Sequence, residues 1–174
     1  QDAQSFIRSY LHLTPGKGRA DRGARRKALV VDDEPNMLHL YTRLLQSTES
    51  WGPALEIVRA ASGPEAIAQF RAGEYFVAIA DHTLADMNGI ELTRALLRTD
   101  PATPVFLITG FGSPEVATEF FNAGGVLYME KPFSAEAFRD AIRFAWCGGS
   151  WESVRCLGVI CDDPGDLMYR IHQM

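Results

Sequence analysis

Residues 27–35 read Lys27-Ala28-Leu29-Val30-Val31-Asp32-Asp33-Glu34-Pro35. The first five are a short apolar run of the kind that forms a buried strand, and the next three make an acidic turn. Pro35 stands where a helix begins, because its missing N–H would be unpaired there anyway. Met37, Leu38, Tyr41, Leu44 and Leu45 then recur at helical spacing. This strand, acidic turn and helix are the unit from which the rest of the chain is read.

The unit repeats in kind. A strand is expected near Leu55–Ala60, then a helix opened by Ser62-Gly63-Pro64-Glu65, then a strand over Phe76–Ala80 ending at Asp81. A helix around Ile90–Arg98 leads to a strand over Val105–Ile108, and a helix follows from Pro114 to about Ala123. The last pair is a strand over Val126–Met129 and a helix over Ser134–Trp146. Five strands alternating with five helices predict an α/β protein: a doubly wound, five-stranded parallel sheet covered on both faces. Right-handed crossovers leave few topologies, and a flavodoxin-like winding gives the order 2-1-3-4-5.

Composition agrees with a globular chain. Of 174 residues, 47% are hydrophobic and 22% charged, which excludes wholesale disorder and collagen-like repeats. No apolar run approaches the ~18–20 residues that a membrane helix needs, so neither a membrane span nor a membrane partner is expected. The net charge of −5 is uneven: residues 1–27 carry +5 and residues 28–174 carry −10. So acidic a body repels phosphodiester backbones, and direct nucleic-acid binding is not expected. Cys147, Cys156 and Cys161 lack CxxC spacing and read as free thiols in a reducing cytoplasm.

In a doubly wound sheet, function gathers at the carboxyl ends of the strands. Strand one ends in Asp32-Asp33-Glu34, strand three in Asp81, strand four in Thr109-Gly110 and strand five in Lys131-Pro132. Clustered carboxylates repel one another, and a hard cation held by oxygen ligands relieves that; Mg²⁺ suits a small set of such ligands. With Asp33 and Asp81 on the metal, one oxygen of Asp81 remains as a nucleophile toward a phosphoryl group. Lys131 and Thr109 would then face the phosphoryl oxygens.

Taken together, these segments resemble the receiver domain of two-component response regulators. Val30-Val31-Asp32-Asp33-Glu34-Pro35 is similar to the family's acidic-pair motif. Ile79-Ala80-Asp81 with Asp86-Met87-Asn88-Gly89 resembles its phosphoacceptor strand and following turn. Ile108-Thr109-Gly110 resembles the switch-hydroxyl motif, and Tyr128-Met129-Glu130-Lys131-Pro132-Phe133 the conserved-lysine motif. Spacings of 48, 28 and 22 residues separate Asp33, Asp81, Thr109 and Lys131. The resemblance covers residues 26–147, leaving residues 1–25 as an N-terminal extension with a basic linker and 148–174 as a tail.

The resemblance implies that Asp81 accepts phosphate from a phosphohistidine of a kinase or phosphotransfer protein. It implies Mg²⁺ held by Asp33, Asp81 and the backbone carbonyl of Thr83, with Asp32 acting through water. Lys131 would touch the phosphoryl group, and the peptide before Pro132 would be cis. Thr109 would move toward the phosphate while Tyr128 turns inward, biasing the face of helix four, strand five and helix five. Such a chain is not an enzyme on other substrates; it catalyses only its own phosphotransfer and autodephosphorylation.

Departures from the pattern fall close to the acceptor. Ala85 stands where the family usually has proline, which puts the rigidity of that loop in question. Gly110 replaces a small Ala or Ser and is expected to leave Tyr128 room to move. His82, Thr83 and Phe111 occupy positions that would modulate phosphate lifetime, and Phe111 would shield the acyl phosphate. A phosphate-independent pseudo-receiver is the alternative reading, although the acceptor, metal and lysine positions are all filled. An aspartyl-phosphate hydrolase would want a carboxylate two residues after its nucleophile, where Thr83 stands.

Outside the receiver segment, residues 5–13 could make a short amphipathic helix and residues 14–27 read as a linker. The chain opens on Gln1, as expected of a trimmed or processed segment, and no effector signature follows Cys147. The apolar stretch Val154–Cys161 is strand-like, and an unpaired edge of that kind invites pairing. The tail is therefore expected either to dock on the body or to join two copies, as is the helix four–strand five–helix five face.

Overall fold

The computed structural model describes residues 25–47, 55–147 and 159–160. The expected helix at 5–13, most of the 14–27 linker, and the tail apart from two residues lie outside the described residues, as do Cys156 and Cys161.

The elements run β1 (Lys27–Val31), α1 (Pro35–Gln46), β2 (Glu56–Ala60), α2 (Gly63–Gln69), β3 (Tyr75–Ala80), α3 (Gly89–Thr99), β4 (Val105–Thr109), α4 (Pro114–Asn122), β5 (Leu127–Glu130), α5 (Ala135–Cys147) and β6 (Val159–Ile160). The sheet order is β2-β1-β3-β4-β5-β6, every pair parallel. The expected 2-1-3-4-5 order is present, and one short strand from the tail extends it.

Why these residues fold this way is visible strand by strand. Every residue of β3 and β4 is buried, as a strand covered on both faces requires. Alternate side chains then serve two separate cores. Leu29, Val31, Ala78, Ala80, Val105 and Leu107 pack in one core, which also takes Ala66, Leu92, Leu96 and Phe120 from α2, α3 and α4. Ala28, Val30, Val77, Ile79, Phe106 and Ile108 pack in the other, under Tyr41, Leu45, Phe138 and Ile142 of α1 and α5. The helices start where their caps dictate. Ser62 accepts from the Glu65 N–H at 3.2 Å, Ser113 from the Val116 N–H at 3.2 Å, and Asn88 forms a capping box with Glu91.

The amino end of the sheet is closed by a polar clamp. Asp100, just past α3, accepts from Arg25 Nη1 at 2.7 Å, the Gly73 N–H at 2.9 Å, the Ala102 N–H at 3.1 Å and the Thr103 hydroxyl at 3.0 Å. Arg25 also donates to the Tyr75 carbonyl at 3.1 Å. The last basic residue of the N-terminal extension is thus fastened to β3 and to the α3–β4 connection. Burial opposes the Asp100 charge, but these donors together outweigh it and hold its carboxyl down to about 2.

Candidate functional site

The carboxyl ends of β1, β3 and β5 meet as the winding requires. Asp32 follows β1 and is fully buried, Asp33 beside it is exposed, and Asp81 follows β3 and is 6% exposed. Carboxylate oxygens of all three lie within 4.8 Å of one another. Lys131, one residue beyond β5, reaches Asp32 Oδ2 at 3.1 Å and Asp81 Oδ2 at 3.2 Å. The backbone holds the other oxygens: the Glu34 N–H donates to Asp32 Oδ1 at 2.9 Å and the Thr83 N–H to Asp81 Oδ1 at 3.3 Å.

Burial raises the Asp32 carboxyl above its usual range, although the Glu34 N–H and the Lys131 ammonium pull the other way. The same burial works against the Lys131 charge, but Asp32 and Asp81 more than compensate and raise it. One ammonium between two carboxylates leaves net negative charge in a half-closed cleft with a third carboxylate at its mouth. An oxygen-only donor set of this kind fits a hard divalent cation.

Thr109 ends β4 and is fully buried; its hydroxyl accepts the Phe111 N–H at 3.1 Å. Lys131 in turn donates its N–H to the Thr109 carbonyl at 2.9 Å, which couples the two strand ends. The Lys131–Pro132 peptide is cis, as the resemblance implies.

The loop after Asp81 lacks the family's usual proline but is held in other ways. Thr83 bridges Asn88, and the Gly89 N–H donates to the His82 carbonyl at 2.9 Å. A β-carbon at residue 89 would lie 2.5 Å from the Asp81 carbonyl oxygen and 2.5 Å from Leu107, so only glycine lets α3 start so close to β3. Met87 sits against Gly63 in the same way, at the start of α2.

Phe111 is 80% exposed. A β-carbon on Gly110 would meet the Lys131 side chain at 3.9 Å, whereas one on Gly112 would collide with the Tyr128 hydroxyl. Tyr128 is fully buried with its hydroxyl against Gly112 and 3.4 Å from Glu130 Oε1.

The helical spacing of Tyr41 assigns it to the core face of α1. It is buried there, stacked on Phe133 at 6.1 Å and Phe138 at 5.8 Å. Among the described residues, its hydroxyl and His82 Nδ1 are the buried side-chain polar atoms without a hydrogen-bond partner. Burial, then the charges of Asp32, Asp81 and Glu34, push the Tyr41 hydroxyl well above its ordinary value. No helix among the described residues is long and apolar enough to cross a membrane.

Comparison with known proteins follows this geometry. The family model described as response regulator receiver domain matches residues 28–143. The photosynthetic apparatus regulatory protein RegA of Rhodobacter capsulatus is 34% identical over 123 residues, covering 71% of this chain. The match spans 64% of that relative's length. A CheY-like response regulator receiver domain protein from Methanospirillum hungatei superposes with a TM-score of 0.63 at 25% identity, covering 70% of this chain and 94% of that one. A two-component response regulator from Aurantimonas has the same fold, with a TM-score of 0.65 at 23% identity, and covers 86% of this chain and 96% of its own.

Proposed function

The chain belongs to the response regulator receiver domain family, and from that premise we propose that it is a phosphorylation-activated signalling switch in which Asp81 is the phosphoacceptor. The observation that supports this most is Lys131 Nζ lying 3.1 Å from Asp32 and 3.2 Å from Asp81, with Asp33 beside them. A half-buried ammonium between carboxylates at the strand ends suits phosphoryl transfer to a carboxylate.

Asp33, Asp81 and the Thr83 backbone carbonyl would hold Mg²⁺, with Asp32 acting through water. The ion supplies positive charge against the carboxylates and the incoming phosphoryl oxygens. An Asp81 carboxylate oxygen attacks the phosphorus of a phosphohistidine on a histidine kinase or phosphotransfer protein. The new O–P bond forms as the N–P bond breaks, and the departing imidazole takes a proton from solvent. Lys131 orients Asp81 before transfer and pairs with a phosphoryl oxygen after it. The Thr109 hydroxyl, which accepts from the Phe111 N–H, has its own hydrogen to donate to another phosphoryl oxygen.

Incubation with Mg²⁺ and acetyl phosphate, followed by the intact mass, tests this reading. A gain of one phosphoryl group that disappears in Asp81→Asn is expected. No adduct would point to the phosphate-independent module, and fast consumption of acetyl phosphate without adduct to a hydrolase.

A further inference from the structure

Tyr41 stands in the second turn of α1, and its side chain leans toward the start of the helix, as helical side chains do. That start follows directly on Asp32-Asp33-Glu34. Phe133, stacked on the ring at 6.1 Å with 5° between the planes, and Phe138 at 5.8 Å hold it from the other side. Phe133 is two residues past Lys131 and follows the cis peptide at Pro132. Tyr41 is therefore packed between the turn that carries Asp32 and the turn that carries Lys131, with 1% of its surface exposed.

Its hydroxyl has no hydrogen-bond partner among the described residues. Besides burial, the charges that act on it are those of Asp32, Asp81 and Glu34. A buried hydroxyl without a partner lowers stability, and phenylalanine would fill a purely apolar position as well. Asp32 has the complementary capacity. Fully buried, it accepts the Glu34 N–H on one oxygen and Lys131 on the other, and each oxygen has a second lone pair.

We propose that Tyr41 is a positioning residue for Asp32: its hydroxyl is unpaired in the ion-free cleft, donates through one water to Asp32 when hydrated Mg²⁺ is bound, and so sets the affinity for the ion. The inference rests on the metal reading made above, in which Asp32 acts through water. Mg²⁺ bound by carboxylates keeps several of its waters, so a bridging water comes in with the ion. Outer groups that orient a metal site in this way change its affinity by about tenfold or more. The sign is fixed. Replacing the hydroxyl by hydrogen takes an unpaired group out of the ion-free protein and a hydrogen bond out of the ion-bound one, and both changes weaken binding.

The test compares wild type with Tyr41→Phe in denaturant melts over a series of Mg²⁺ concentrations, which give the ion-free stability and the Kd for Mg²⁺ together. Tyr41→Phe should be at least as stable as wild type without the ion, and its Kd should be about tenfold higher. Ultraviolet difference absorption supplies a readout that core packing does not move. Adding Mg²⁺ to wild type should produce a tyrosine band that is missing from Tyr41→Phe. An unchanged Kd, a variant less stable than wild type without the ion, or the same band in both proteins would each overturn the role given to Tyr41. Wild type that binds no Mg²⁺ would instead overturn the metal reading, and the inference with it.

Discussion

The Tyr128 hydroxyl occupies the space that a β-carbon on residue 112 would need. The absence of a side chain at Gly112 is therefore what leaves room for the buried Tyr128 ring. A single methyl group at residue 112 should displace it.

Gly112→Ala should therefore expel the Tyr128 ring or force the loop after Thr109 outward. Overpacking of this kind costs about 1–3 kcal/mol. Ring exposure followed by NMR or ultraviolet difference spectroscopy should rise in the variant, while Gly110→Ala should leave it unchanged. Equal behaviour of the two variants would remove Gly112 from its role.

Lys131→Ala leaves Asp32, fully buried, with the Glu34 N–H as its remaining hydrogen-bond donor. An unpaired buried charge is costly, so the variant should lose about 1–3 kcal/mol in metal-free buffer. Adding Mg²⁺ should return most of that loss, because a cation can take over the charge. Denaturant melts of wild type and variant, each with and without Mg²⁺, measure both effects.

The clamp at the opposite end of the sheet predicts a pH dependence. The Asp100 carboxyl is held down to about 2, below its unfolded value of 3.8. A depressed folded value means the stabilisation is complete above the unfolded value and is lost as pH falls from about 4 through 2. Its size is about 2 kcal/mol. Thermal or urea melts between pH 5 and 2 should show the loss, and Asp100→Asn should flatten that part of the profile. Arg25→Ala should flatten it in part, since the backbone N–H donors of Gly73 and Ala102 remain.

How far the sequence foretells this structure depends on whether a feature is local. Lys27–Val31 emerges as the predicted strand because five apolar or amphipathic residues run directly into an acidic turn. Ser62 marks a helix start because a cap is read from its own neighbours. The meeting of Asp32, Asp81 and Lys131 follows from the winding once the strand order is known. The clamp does not: Arg25 and Asp100 are 75 residues apart, and no periodicity joins them. Nor does the choice of Gly112 over Gly110, which turns on where the Tyr128 ring falls across two strands. The parallel pairing of β6 on β5 is likewise tertiary, and an apolar stretch at Val154–Cys161 announces a strand without naming its neighbour.

The central claim is that one carboxylate, Asp81, carries the phosphoryl group. After phosphorylation with acetyl phosphate and Mg²⁺, borohydride reduces an aspartyl phosphate to homoserine, which peptide sequencing by mass spectrometry locates. The account predicts homoserine at position 81 and none at 32, 33 or 86. Homoserine at one of those other positions, or a phosphoryl group retained on His82, would contradict it.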